Sequence, residues 1–163
     1  MDMLVSGRRS YADIYETLSF KKHASKIFQN TKILDNTLEF SSAKNIFWFY
    51  DYTFNAAYKP TNKNLIKFNH IYYIDFLNFS AFSANNENLY TDVINTQNEG
   101  YNLEWEKEWT KKLSHQIDSY YSTYSLDYSF SNESFLENSS NIKTNQIKDF
   151  GINMNFKYNI TAS

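Results

Sequence analysis

The sequence predicts an all-β fold: an antiparallel meander of about six long strands, an open piece of a transmembrane β-barrel. Three observations carry this. The chain is aromatic yet polar, with 14 Tyr, 14 Phe and 3 Trp in 163 residues and a mean hydropathy of −0.62. Segment after segment alternates apolar and polar side chains with period two, which gives each strand one greasy face and one wet face. The alternating segments run to about 12–16 residues, against roughly 5 or 6 in an ordinary globular strand. A tilted strand needs about 9–11 residues to cross a hydrocarbon layer.

The elements follow in order. Residues 1–11 form a first strand, where Met1, Met3 and Val5 alternate with Asp2 and Ser6. Residues 46–59 place Trp48, Tyr50, Tyr52, Phe54, Ala56 and Tyr58 on one face, and Asp51, Thr53, Asn55 and Lys59 on the other. The link from Lys59 to Lys63 holds the only proline, Pro60, which lacks an N–H and suits a turn. Residues 64–79 gather Ile66, Phe68, His70, Tyr72, Ile74 and Phe76 opposite Lys67, Asn69 and Asp75, with Ile71 and Tyr73 blurring the pattern. Residues 99–111 alternate Tyr101, Leu103, Trp105 and Trp109 with Asn102, Glu104, Glu106 and Glu108, and Lys107 is a charge on the apolar side. Residues 115–130 have mixed faces with Tyr120 next to Tyr121, which predicts a β-bulge. Residues 144–159 are the cleanest strand: Phe150, Ile152, Met154, Phe156 and Tyr158 face away from Asp149, Asn153, Asn155 and Lys157.

The links alternate in length. Those near Pro60 and Lys112 are short. Residues 12–45, 80–98 and 131–143 read as long outer loops rich in Asn, Ser and Thr, all at one end. Outer-membrane barrels have short periplasmic turns and long extracellular loops. The whole chain, 1–163, reads as one partial β-barrel domain.

Several function classes are excluded. A formal charge of −2 and a pI near 5.9 give no basic face for nucleic acid. With no cysteine there is no disulfide framework, thiol nucleophile or zinc cluster. No run of about 20 apolar residues exists for a helical span, and only 3 glycines leave no phosphate-cradling loop. His23, His70 and His115 have no metal-ligand spacing, and His70 suits the edge of a membrane. Glu104, Glu106 and Glu108 form a row that a cation or substrate site could use. The same row suits a polar lumen wall paired with Lys and Arg of neighbouring strands, and general acid–base work needs converging, differently perturbed carboxylates, which a single strand face cannot show. Arg8 and Arg9 could grip an anionic ligand, but read first as positioning the outer loop or pairing with acids such as Asp13. No catalytic, cofactor-binding or metal residue is assigned, the substrate-binding residues are unknown, and the reading is of a protein that is not an enzyme. Trp48, Tyr50, Trp109 and Tyr158 suit either interfacial girdles or the core of a soluble sheet.

Two stretches resemble a known family. One is Leu4-Val5-Ser6-Gly7-Arg8-Arg9-Ser10-Tyr11-Ala12-Asp13, followed later by Phe49-Tyr50-Asp51-Tyr52-Thr53-Phe54-Asn55-Ala56-Ala57-Tyr58-Lys59. The other is Ile147-Lys148-Asp149-Phe150-Gly151-Ile152-Asn153-Met154-Asn155-Phe156-Lys157-Tyr158. Both are similar to barrel strands of TonB-dependent outer-membrane receptors of the Bacteroidetes type, and the resemblance covers Leu4 to Tyr158. It implies a wall segment that takes part in uptake of a scarce nutrient such as a metal chelate, vitamin or oligosaccharide. Its location would be the cell outer membrane. Its partners would be outer-membrane lipid and the rest of the barrel and plug, with TonB met only through parts outside this chain. The N-terminus lacks a signal-peptide pattern, so the reading expects a fragment, a mature segment or an internal start. The alternatives are a soluble β-sandwich or lectin-like binding module, and a small outer-membrane barrel or adhesin.

Overall fold

The computed structural model describes residues 1–10, 40–83, 88–134 and 138–160. These form one antiparallel sheet of six strands in chain order: β1 (Asp2–Arg9), β2 (Phe40–Thr61), β3 (Asn64–Ser83), β4 (Asn88–Glu108), β5 (Leu113–Ser134) and β6 (Asn138–Tyr158). No helix occurs among the described residues, and the sheet is open, with β1 and β6 as its edges. The all-β meander expected from the alternation is the observed architecture.

The ladder runs farther than the alternation does. Strands β2 to β6 are 20–22 residues long. Most of 80–98 and 131–143, read above as outer loops, is strand, and only 84–87 and 135–137 lie between the paired elements. Of 12–45, residues 40–45 belong to β2 and 12–39 fall outside the described residues. The physical reason is that ladder hydrogen bonds are made by backbone. A strand with no apolar face still pairs when its neighbours extend equally far.

The expected bulge in β5 is absent. Its register with β4 and with β6 is unbroken, so Tyr120 and Tyr121 simply point to opposite faces. Register shifts occur instead in β2, between Phe40 and Ser42 and between Tyr58 and Thr61 beside the turn that follows Pro60.

The pairing divides the side chains into two faces. On one lie Met3 and Val5 of β1, the even residues from Ile46 to Tyr58 of β2, and Ile66 to Phe76 of β3. Trp105, Leu103 and Tyr101 of β4, Ile117 and Tyr121 of β5, and Phe150 to Tyr158 of β6 complete it. This is a continuous apolar band, and Phe150, Ile152, Met154, Phe156 and Tyr158 are all more than half exposed. The band slants. Its lower edge at Tyr58 lines up across the sheet with Met154, yet on β6 the apolar run continues four residues lower, to Tyr158. Its upper edge at Ile46 lines up with Ile142, yet on β6 the run stops eight residues lower, at Phe150. Strands about 4.8 Å apart and tilted by about 40° shift a level slab by roughly one residue per strand, or roughly 5 from β2 to β6. The observed slant brackets that figure.

Beyond the band, toward the end of the sheet away from the short turns, the faces exchange character. The outer side becomes polar on β4 to β6, with Glu99, Gln97 and Asn95, then Thr123, Ser125 and Asp127, then Lys148, Gln146 and Thr144. The opposite side becomes apolar. Leu77, Phe79 and Ala81 are buried there, with Phe47, Tyr90, Ile94 and Phe130 packed against them. Asp92 lies in the same region at 1% exposure, one cross-strand step from Phe79 and Phe130.

Candidate functional site

Below this apolar cluster, the face opposite the band is polar. Lys67 of β3 sits between two carboxylates of β4, with Nζ 3.0 Å from Glu104 Oε1 and 3.0 Å from Glu106 Oε1. Register places it there, because Lys67 pairs directly with Glu104 and Glu106 is the next residue on that face. Glu108 is met by Lys63 from the turn at 3.2 Å. Each acid of the row therefore faces a lysine from a neighbouring strand or turn. One ammonium shared by two acids offsets part of their charge and braces the wall. Gln116 of β5 donates to Glu104 at 3.3 Å, and Asn69 donates to Asn102 at 3.0 Å, so the polar row continues across three strands.

Arg8 belongs to the same face. Its Nε and Nη2 donate to Asp51 Oδ2 at 2.8 and 2.6 Å, and its guanidinium lies 5.3 Å from the Phe49 ring centre. The partner is thus a cross-strand neighbour on β2; Asp13 lies outside the described residues. Ser10 donates its backbone N–H to Phe49 at 2.8 Å.

Two belts of aromatic residues lie along the apolar band. At the short-turn end, Trp109 Nε1 donates to His115 Nδ1 at 2.7 Å, and Lys107 Nζ lies 3.6 Å from the Trp109 ring centre. His115 also meets the edge of Trp105 at 4.5 Å and lies 5.9 Å from Phe156. A nitrogen that accepts from an indole carries no proton, so a neutral His115 has its N–H on Nε2. Within the band, where the β4 run ends at Tyr101, the His70 ring stacks on Tyr101 at 4.4 Å, Tyr52 meets His70 at 5.4 Å, and Tyr72 stacks on both Tyr50 and Tyr52. Glu99, the first polar residue beyond the band on β4, accepts from the Tyr101 hydroxyl at 2.5 Å and lies 3.3 Å from His70 Nε2. Tyr and Trp with one apolar and one polar end suit a boundary between grease and water. His70 faces the apolar side midway along the β3 run from Ile66 to Phe76, level with the end of the β4 run at Tyr101. His23 lies outside the described residues.

The glycines shape the polar face. The Tyr120 ring occupies the space that a Cβ on Gly151 would fill, and its hydroxyl reaches Asp149 Oδ2 at 3.2 Å. Gly100 leaves a shallow recess beside Ile71, bordered by Asn69, Asn102 and Ser122. Reading the chain one strand at a time missed these pairs. The glycine opposite Tyr120 becomes a signal only once register is known.

No family model, curated protein or solved structure matches this chain.

Proposed function

We propose that this chain is a wall segment of an outer-membrane β-barrel of the TonB-dependent receptor kind, contributing to uptake of a scarce nutrient such as a metal chelate, vitamin or oligosaccharide. The observation that carries the barrel reading is the exchange of faces. Within the band the exposed side is apolar and the opposite side is an ion-paired polar wall. Beyond the band the exposed side is polar and the opposite side is apolar. A barrel that crosses a bilayer and continues into water asks for this pattern, since lipid touches only the outer side and only over one height. On β6 the band from Phe150 to Tyr158 covers eight residue steps, about 27 Å along the strand and about 20 Å along the barrel axis at a 40° tilt. On β2 the same projection gives about 30 Å. A lipid-facing band is about 25 Å tall.

The open edges support the word "segment". Unpaired ladder groups are costly in hydrocarbon, so β1 and β6 call for strands beside them, those of the rest of the barrel or, for the chain alone, those of a second copy. The receptor family rests on the residue resemblance, Ser6-Gly7-Arg8-Arg9 and Phe49-Tyr50-Asp51 above all. In this reading Lys67, Glu104 and Glu106 line the lumen and carry no catalysis.

Fractionation of cells producing the chain tests the barrel reading. The chain is expected in the membrane fraction, extracted only by detergent. A sharp monomer on size exclusion in plain buffer would overturn the reading in favour of a soluble β-sandwich or lectin-like module. The genomic DNA on either side tests the receptor reading. An in-frame plug upstream and further strands downstream are expected, and their absence would remove the receptor assignment.

A further inference from the structure

The lysines are not spread evenly. At the short-turn end lie Lys59, Lys63, Lys107, Lys111, Lys112 and Lys157, brought to one rim by the meander. The backbone ties the rim together, because Glu108 N–H donates to Lys63 at 2.9 Å and Asn159 N–H donates to Lys112 at 2.8 Å. Two acids, Glu106 and Glu108, share this rim, and both are already engaged by Lys67 and Lys63. Among the described residues, Lys59, Lys107, Lys111, Lys112 and Lys157 have no carboxylate within ion-pair distance. Lys59, Lys111, Lys112 and Lys157 are exposed. The rim is therefore clearly positive on a chain whose formal charge is −2.

We propose that this rim binds anionic phospholipid headgroups, with Lys107, Lys111 and Lys112 as the contacting cations at the foot of the apolar band. The inference rests on the membrane reading above and adds the chemistry of the lipid. Three features favour a headgroup over other anions. The cations lie where the band ends, next to Trp109 and Tyr158, so the site has an apolar half that a lipid fills and a free ion does not. Lys107 is held over the Trp109 ring, whose N–H is fixed by His115, so one ammonium is kept at interfacial height. The others are lysines on flexible stems along a rim without an enclosing cradle, which suits mobile headgroups better than a single fixed phosphate. A juxtamembrane lysine gains about 1 kcal/mol near an anionic surface, or roughly fivefold in partitioning.

The test dilutes the full chain from denaturant into vesicles of phosphatidylcholine alone or of phosphatidylcholine with phosphatidylglycerol, and measures co-flotation. The wild type is expected to float with both and to prefer the anionic vesicles, although its own net charge is negative. The triple variant Lys107→Gln/Lys111→Gln/Lys112→Gln should keep flotation with phosphatidylcholine and lose most of the anionic preference, by roughly fivefold for each lysine. The control Lys143→Gln, seven residues above Phe150 and on the side away from the band, should keep the preference. Equal losses in the two variants, or no preference in the wild type, would overturn the rim assignment and leave the barrel reading standing. Abolition of the preference by inorganic phosphate, but not by chloride at equal ionic strength, would show a free-anion site and also overturn it. Failure to float with either vesicle would remove both the barrel reading and this inference.

Discussion

Tyr120 of β5 lies flat over Gly151 of β6, its ring filling the volume that any larger residue at 151 would claim. A glycine inside a strand ordinarily weakens it, and an aromatic neighbour laid across it recovers the lost packing. Gly151→Ala should therefore push the exposed Tyr120 ring aside and destabilise the chain in urea unfolding from detergent micelles by about 1 kcal/mol or less. In a Tyr120→Ala background the same change should be nearly neutral or favourable. Additive costs in the double variant would show that the two residues do not interact.

The face assignment on β6 makes a second prediction. Ile152 is half exposed within the apolar band, and its neighbour Asn153 points to the polar side. In a closed barrel, Ile152→Arg near the bilayer midplane should cost about 2–4 kcal/mol, and Asn153→Arg much less. Unfolding midpoints in lipid give the comparison, and equal costs would refute the assignment.

The exchange of faces has its own test on β3. Phe79 is 5% exposed on the inner side, and Phe82, three residues on, is 42% exposed on the outer side. Phe79→Ala should cost about 3–5 kcal/mol, as for a core phenylalanine. Phe82→Ala should cost under about 1 kcal/mol. The reverse order, measured by chemical unfolding, would mean that the apolar cluster is not a packed core.

Alkali should weaken the same region. Burial first, and then the neighbouring Asp92 carboxylate, push the Tyr128 phenol up to about 12. Tyr128 lies beyond the upper aromatic belt, on the cross-strand line of Ile94. An unfolded tyrosine ionises near 10. The folded chain thus holds this proton longer, and its contribution to stability is complete below about pH 10 and is lost as pH rises toward 12. Tyr128→Phe should flatten the fall of the unfolding midpoint between those values. An unchanged slope would refute the contribution of this phenol.

The strands that read most clearly were those whose two faces differ most. β6 alternates from Phe150 to Tyr158 because one side meets grease and the other water, and its presence and facing were legible from residue types alone. The far end of the same strand, Asn138 to Lys143, reads as loop because all but Ile142 there are polar. Its strand character comes from pairing with Ser131 to Glu133 and neighbouring residues of β5, which no local pattern reports. The adjacent Tyr120 and Tyr121 suggested a bulge for a similar reason. Two neighbouring aromatics look alike in sequence, and only register shows that one covers a glycine while the other joins the belt. The glutamate row was visible, but its partner Lys67 lies 37 and 39 positions away from Glu104 and Glu106, and only the β3–β4 ladder brings it between them.

The polar outer side beyond the Tyr101–Tyr121–Phe150 line has a kinetic meaning. On the barrel reading, those segments of β4, β5 and β6 are the leading parts of the chain during assembly and have to traverse the hydrocarbon once. Glu99, Asp127 and Lys148 would each enter the bilayer during that passage, at a cost of about 2–4 kcal/mol near the midplane for a basic residue and less for an acidic one. Unpaired backbone adds several kcal/mol per group. Threading one strand at a time is therefore closed to this chain. On that reading entry would take place as hairpins that are already paired, through a hydrated or thinned path.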